Sequence, residues 1–162
     1  IGVGGATPAA SGAGISFPAT ASASSDANTL DDYEEGIWTP VISGATSAGT
    51  GTYSVQAGRY TRVGNVVTIS GRITWSAHTG TGNMNMTNLP YTSLNATNCT
   101  PVVSFGYVNN MSLTASNVMT GLIVQNTTTA EFYQYPVGGG AGSAVSIDTA
   151  ADVVFSATYF AA

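Results

Sequence analysis

Residues Asn65–Trp75 alternate strictly: Val67, Ile69, Gly71, Ile73 and Trp75 fall on one face, and Val66, Thr68, Ser70, Arg72 and Thr74 on the other. A helix would scatter that set around its circumference, so the run reads as a half-buried antiparallel strand. Asp152–Phe160 alternates too, with Val153, Phe155, Ala157 and Tyr159 opposite Val154, Ser156, Thr158 and Phe160. No stretch after residue 36 carries a convincing helical period. Gly51–Val55 and Arg59–Val63 read as two short strands split by Gln56-Ala57-Gly58, and Gly64-Asn65 turns the chain into the long strand. Mid-strand Gly71 marks either a bulge or a close approach by another group. Pro101–Val108, Val118–Gln125, Thr129–Tyr135 and a short Val145–Ile147 continue the pattern, with Gly138–Gly142 as a flexible loop. The expected class is all-β, an antiparallel β-sandwich of jelly-roll-like type.

Ahead of the strands the composition differs. Residues 1–28 are Gly, Ala, Ser and Thr around a few anchors, of which Ile15-Ser16-Phe17-Pro18 is the best. Such a stretch cannot bury a core of its own. It reads either as a linker or as an arm ordered by packing on neighbouring chains. Thr29-Leu30-Asp31-Asp32 fits a capping box, so one short helix is expected over Thr29–Glu35, closed by Gly36. The division is then 1–36, a stalk-like arm with a capping helix, and 37–162, the head. Asp31, Asp32, Glu34 and Glu35 lack the interleaved Gly and Asn of a calcium loop, and no metal site is expected.

Charge narrows the function. Only 7% of the residues are charged, with three Arg, no Lys and eight acidic side chains, for a net of -5. Phosphate contact needs a basic patch, so nucleic acid is not an expected partner. No apolar run reaches the roughly 18 residues of a membrane span, and no membrane insertion is expected. Cys99 is the one cysteine, which excludes an internal disulfide. Both faces of Asp152–Phe160 carry apolar groups, although a lone sandwich wets one face. A symmetry mate covering one sheet would account for that.

Catalytic arrangements are not evident. His78 is the one histidine and has no nucleophile motif beside it. The carboxylates after Glu35 are Glu131, Asp148 and Asp152. No Gly-rich stretch ends in the Lys-[Ser/Thr] of a phosphate loop. No catalytic residue and no cofactor are therefore assigned. Binding needs exposed aromatics beside hydrogen-bonding groups. Tyr133 and Tyr135 share a strand face with Glu131, and Tyr107 is followed by Asn109 and Asn110. Tyr107, Asn109, Tyr133 and Tyr135 are the candidate ligand-binding residues.

The run Thr29-Leu30-Asp31-Asp32-Tyr33-Glu34-Glu35-Gly36-Ile37-Trp38-Thr39-Pro40 resembles one found in bacteriophage tail-fibre and receptor-binding proteins. Similar to that group as well are Ile15–Thr20 and Ser24–Asn28 upstream, then Gly51-Thr52-Tyr53, Gly58–Gly64, Val66–Gly71 and Leu89-Pro90-Tyr91. Ile1–Pro8 looks like the end of a fibre-shaft repeat. Ile37 stands where the family usually has a small polar residue. The likeness spans residues 1–91, and nothing beyond Tyr91 carries a motif. It implies the carboxy-terminal head of a virion fibre, a homotrimer of β-sandwich subunits on a slender stalk, with the twelve-residue run as the junction. Its implied partners are a host surface glycan or protein and other virion fibre or tail proteins. A purely structural virion appendage and a free-standing lectin are the alternatives.

Overall fold

The computed structural model describes residues 1–8, 13–20, 24–26 and 29–162. Ten strands form one antiparallel sheet. They are β1 (Tyr33–Trp38), β2 (Val41–Gly44), β3 (Gly51–Val63), β4 (Val66–His78), β5 (Met84–Thr87), β6 (Val102–Asn109), β7 (Asn117–Ile123), β8 (Ala130–Pro136), β9 (Ser143–Ala144) and β10 (Ala151–Phe160). The order across the sheet is β1-β3-β4-β10-β6-β7-β8-β5-β2, with β9 added to β8. Its two ends, β1 and β2, are consecutive in the chain, with only Thr39 and Pro40 between them. So short a connection reaches about 10 Å, so the sheet has to curl until its edges meet. The expected all-β antiparallel class holds, and the curled sheet is consistent with a β-sandwich.

The curl encloses one core. Val67, Ile69, Ile73 and Trp75 of β4 stand beside Val153, Phe155, Ala157 and Tyr159 of β10, all buried. Ile42, Met84, Met86 and Phe132 belong to the same cluster. Phe105 meets Phe132 edge to face at 5.2 Å, and Trp38 meets Phe155 at 6.1 Å. Both predicted alternations hold. Gly71 is a point of close approach: a Cβ there would lie 2.6 Å from the Ala57 carbonyl oxygen and 2.7 Å from Phe155 Cζ.

Side chains clasp the seam between the sheet's edges. The Tyr53 hydroxyl accepts from the Ile42 N–H at 3.1 Å and donates to the Ile42 carbonyl at 3.2 Å. Gln56 donates to the Pro40 carbonyl at 3.0 Å. Gly80 N–H donates to His78 Nδ1 at 2.9 Å, which puts the ring proton of the neutral imidazole on Nε2, 3.0 Å from the Ile42 carbonyl. The lone histidine is a clasp residue.

Three local expectations need correction. No helix forms over Thr29–Glu35: residues 29–32 are irregular, and Tyr33–Trp38 is strand β1, in register from Tyr33 opposite Val63 to Trp38 opposite Gly58. A seven-residue helix is far below the ~12–15 residues that stand alone, whereas β1 gains a ladder and buries Trp38. The carboxylates meant for its cap take other partners. Asp31 accepts from Ser24 N–H at 2.7 Å, Asp32 lies 3.4 Å from Arg62, and Glu35 accepts from the Tyr33 hydroxyl at 2.8 Å. Second, Gln56-Ala57-Gly58 is not a turn but part of a continuous β3, whose irregularity falls at Ser54 instead. Gly58 makes room for the Trp38 indole, since a Cβ there would sit 2.3 Å from its Nε1. Third, the short strand after the glycine loop is Ser143–Ala144, and Ser146 only bridges Asn83.

In the arm, Gly2 bridges Ser16, with Val3 N–H donating to the Ser16 carbonyl at 3.0 Å. The expectation for residues 1–28 falls partly outside the described residues, at 9–12, 21–23 and 27–28.

Candidate functional site

Two polar clusters stand out, and they differ in kind. The first gathers the runs Asp31–Gly36, Gly58–Gly64 and Leu89–Tyr91 at one end of the sheet. Glu34 on β1 accepts from the Tyr60 hydroxyl at 2.6 Å and from the Tyr91 hydroxyl in a still shorter bond. Tyr60 and Tyr91 meet edge to face at 5.5 Å, and the Arg62 guanidinium lies 4.8 Å from the Tyr91 ring centre. Arg62 also donates to the Gly64 carbonyl at 2.7 Å. Beneath them the buried Tyr159 hydroxyl accepts from Tyr91 N–H at 3.2 Å and donates to the Tyr91 carbonyl at 3.0 Å. The Tyr60 hydroxyl first, then that of Tyr91, holds the Glu34 carboxyl below its ordinary value. Burial, then Glu34, pushes the Tyr91 phenol up, and burial pushes Tyr159 up to about 12. A Cβ on Gly36 would sit 2.8 Å from Tyr60, so that glycine clears the ring. The Glu34 carboxylate and the Tyr60, Tyr91 and Tyr159 hydroxyls are spent on partners within the cluster, while the buried Asp32 Oδ2 has only the ion pair with Arg62. The cluster is a clamp that fixes β1 to β3 and to the Pro90-Tyr91 loop.

The second cluster is a polar pocket of about 150 Å³ where β8 meets β5 and β9, lined by Ala45, Asn83, Asn85, Glu131, Tyr133 and Ala144 among others. Register builds it: Asn85 is opposite Glu131, and Ala144 opposite Tyr133. Strand alternation sends Ala130, Phe132 and Gln134 into the core and Glu131, Tyr133 and Tyr135 outward. The Tyr133 hydroxyl donates to Glu131 at 2.8 Å, and that bond is the main reason its phenol is raised. Tyr135 is 37% exposed and packs over Gly142, whose missing side chain leaves room for the ring. The pocket offers a carboxylate, a phenol and two carboxamides, with no cation among the lining residues. Those groups suit the hydroxyls of an uncharged ligand.

The four predicted binding residues therefore divide. Tyr133 and Tyr135 are neighbours on β8, with Tyr133 in the pocket. Tyr107 and Asn109 lie exposed on β6, whose ladder with β7 has only two pairs, Val102–Leu122 and Val103–Gly121. Tyr107 stands opposite Val154, and Asn109 opposite Asp152. Asn83 and Asn85 were missed by sequence reasoning. Met84-Asn85-Met86-Thr87 alternates at period two, which was the available signal for an outward Asn85. The remaining candidate carboxylates sit apart. Asp152 accepts from Arg72 at 2.9 and 2.6 Å and from Thr74 at 2.9 Å, and Asp148 accepts from Ser112 N–H at 2.5 Å.

The fold has a counterpart among solved structures. It is similar to part of the Dettilon tailspike protein (gp208), with a TM-score of 0.60 and 19% identity over 79% of this chain. The match covers 24% of the tailspike, so this chain spans about a quarter of that length. No protein-family model matches the chain, and neither does any curated protein sequence.

Proposed function

We propose that this chain is a non-enzymatic attachment module of a phage tail or fibre, which recognises a neutral glycan on the host surface through the pocket at Glu131 and Tyr133. One observation carries the reading: a phenol, a carboxylate and two carboxamides converge on one small outward pocket. Likeness in fold to a tailspike domain and the resemblance of residues 1–91 to tail-fibre proteins support the location on the virion. The jelly-roll-like form and a homotrimeric head belong to the same proposal. So do attachment to other tail or fibre proteins through the arm and a receptor that is a glycan rather than a protein.

The ligand class follows from charge. Glu131 can accept two vicinal sugar hydroxyls, and it repels the carboxylate or sulfate of an acidic sugar at a few ångströms. Single-site binding of this kind is weak. Several sites on one particle raise it through effective concentration. Because short-range polar contacts dominate, binding depends little on salt.

The test is a screen of neutral and acidic oligosaccharides against the labelled domain, followed by binding to susceptible cells. Binding to a neutral glycan that drops about tenfold or more in Tyr133→Ala and Glu131→Gln supports the assignment. Unchanged binding in both variants overturns the pocket. Failure of the intact domain to bind glycans or cells favours a purely structural appendage.

A further inference from the structure

Apart from the pocket, the largest feature left without a role is the outer face of β1-β3-β4-β10-β6. Register lays it out in rows. Tyr33, Val63, Val66 and Phe160 form one row across four strands. The next two rows are small and hydroxylated: Thr61, Thr68 and Thr158, then Ser70, Ser156 and Ser104. Beyond them Val154 and Tyr107 lie side by side. Of the exposed large apolar residues described from β1 onward, seven lie on this face, and Ile37 is 77% exposed. Ile37 and Arg59 line a cleft of about 380 Å³ there. We propose that this face docks a second copy of the same chain. The proposal rests on the multimeric part of the reading above and names the surface that part left open.

Charge selects the occupant. The face carries Glu35, Arg59, Arg72 and Asp152, two carboxylates and two cations, and is neutral. The chain as a whole carries -5, so its net charge lies elsewhere. Two copies of an acidic chain repel each other least where they meet through their neutral faces. A basic partner would be drawn to the rest of the surface instead. Shape agrees. The serine and threonine rows are short side chains that let a neighbouring chain approach the backbone closely, while the apolar row at their end supplies area to bury.

The test is solution mass by light scattering, with thermal melts as the check on folding. Ser156→Arg puts a long cation at the centre of the serine row, at an exposed position that a lone subunit tolerates. Ser70→Arg, opposite it on the next strand, is the second variant. Val118→Arg, outside this face, is the control. The expected result is a wild-type mass that is a multiple of 16.3 kDa, with both serine variants folded at the single-chain mass and Val118→Arg unchanged. A multimeric wild type whose mass survives both serine substitutions overturns the face but keeps the multimer. A wild type at the single-chain mass overturns both.

Discussion

Glu34→Gln tests whether the first cluster is a clamp. The carboxylate accepts two phenolic hydrogen bonds, one of them at 2.6 Å. Fully sheltered, two charge-assisted bonds are worth about 3–6 kcal/mol. Glu34 is exposed, so solvent screens much of that, and about 1–2 kcal/mol is the reasoned figure. For a chain of this size the melting temperature should fall by roughly 2–8 °C near neutral pH. The sign with acid follows from the lowered carboxyl. Its folded-state value lies below the ordinary 4.5, so the unfolded chain takes up the proton first. The stabilisation is complete above the unfolded value and disappears as pH falls through the folded one. Asp152 shifts in the same direction, because of its bonds from Arg72, but it is present in both proteins and cancels in the difference. Thermal melts of wild type and variant from about pH 7 to about pH 2.5 therefore converge at the acid end. Curves that keep a constant gap, or that never differ, would refute the clamp.

Other substitutions probe the seam and the sheet. Gly58→Ala should cost about 1–3 kcal/mol in denaturant unfolding, because its Cβ collides with the Trp38 indole. Tyr53→Phe removes the hydroxyl that both donates to and accepts from Ile42; a loss of about 1–3 kcal/mol is expected, with faster exchange of the Ile42 amide as the local readout. Burial pushes the Tyr159 phenol from 10 up to about 12, so an absorbance titration should show tyrosine still un-ionised well above the ordinary value. The raised value makes stability fall as pH rises from the unfolded to the folded value, and a flat alkaline stability profile would count against the buried phenol.

Strand identity was legible where one face is buried and the other wet. Val67, Ile69, Ile73 and Trp75 announced β4 because the core enforces period two. Asp31–Glu35 misled, because a capping box is a local signal and the ladder from β1 to β3 is not. Gln56-Ala57-Gly58 misled for a related reason. Gly58 looks like a turn residue until the Trp38 ring, twenty positions earlier, is laid across it. At the candidate pocket, outward Tyr133 and Glu131 followed from alternation along one strand. Asn83 and Asn85 arrive there through the pairing of β5 with β8, some 45 residues apart, which no local pattern encodes. Tyr107 satisfied the same compositional rule and landed on another strand.

The position of β10 has a consequence for how the chain is made. The last strand to be synthesised among those described lies in the middle of the sheet, between β4 and β6. Until Phe160 has left the ribosome, the β1-β3-β4 half and the β6-β7-β8-β5-β2 half have no ladder between them. Each waits with one unpaired edge and half a core in water. Those edges are templates for wrong pairing, and neighbouring nascent chains of the same sequence supply the strands. Closure is therefore a single late event of high contact order, in which one ten-residue strand joins both halves at once. A frameshift or stop after Ala150 would leave two half-sheets tethered at the β1–β2 seam but with no ladder between β4 and β6, rather than a slightly shorter domain.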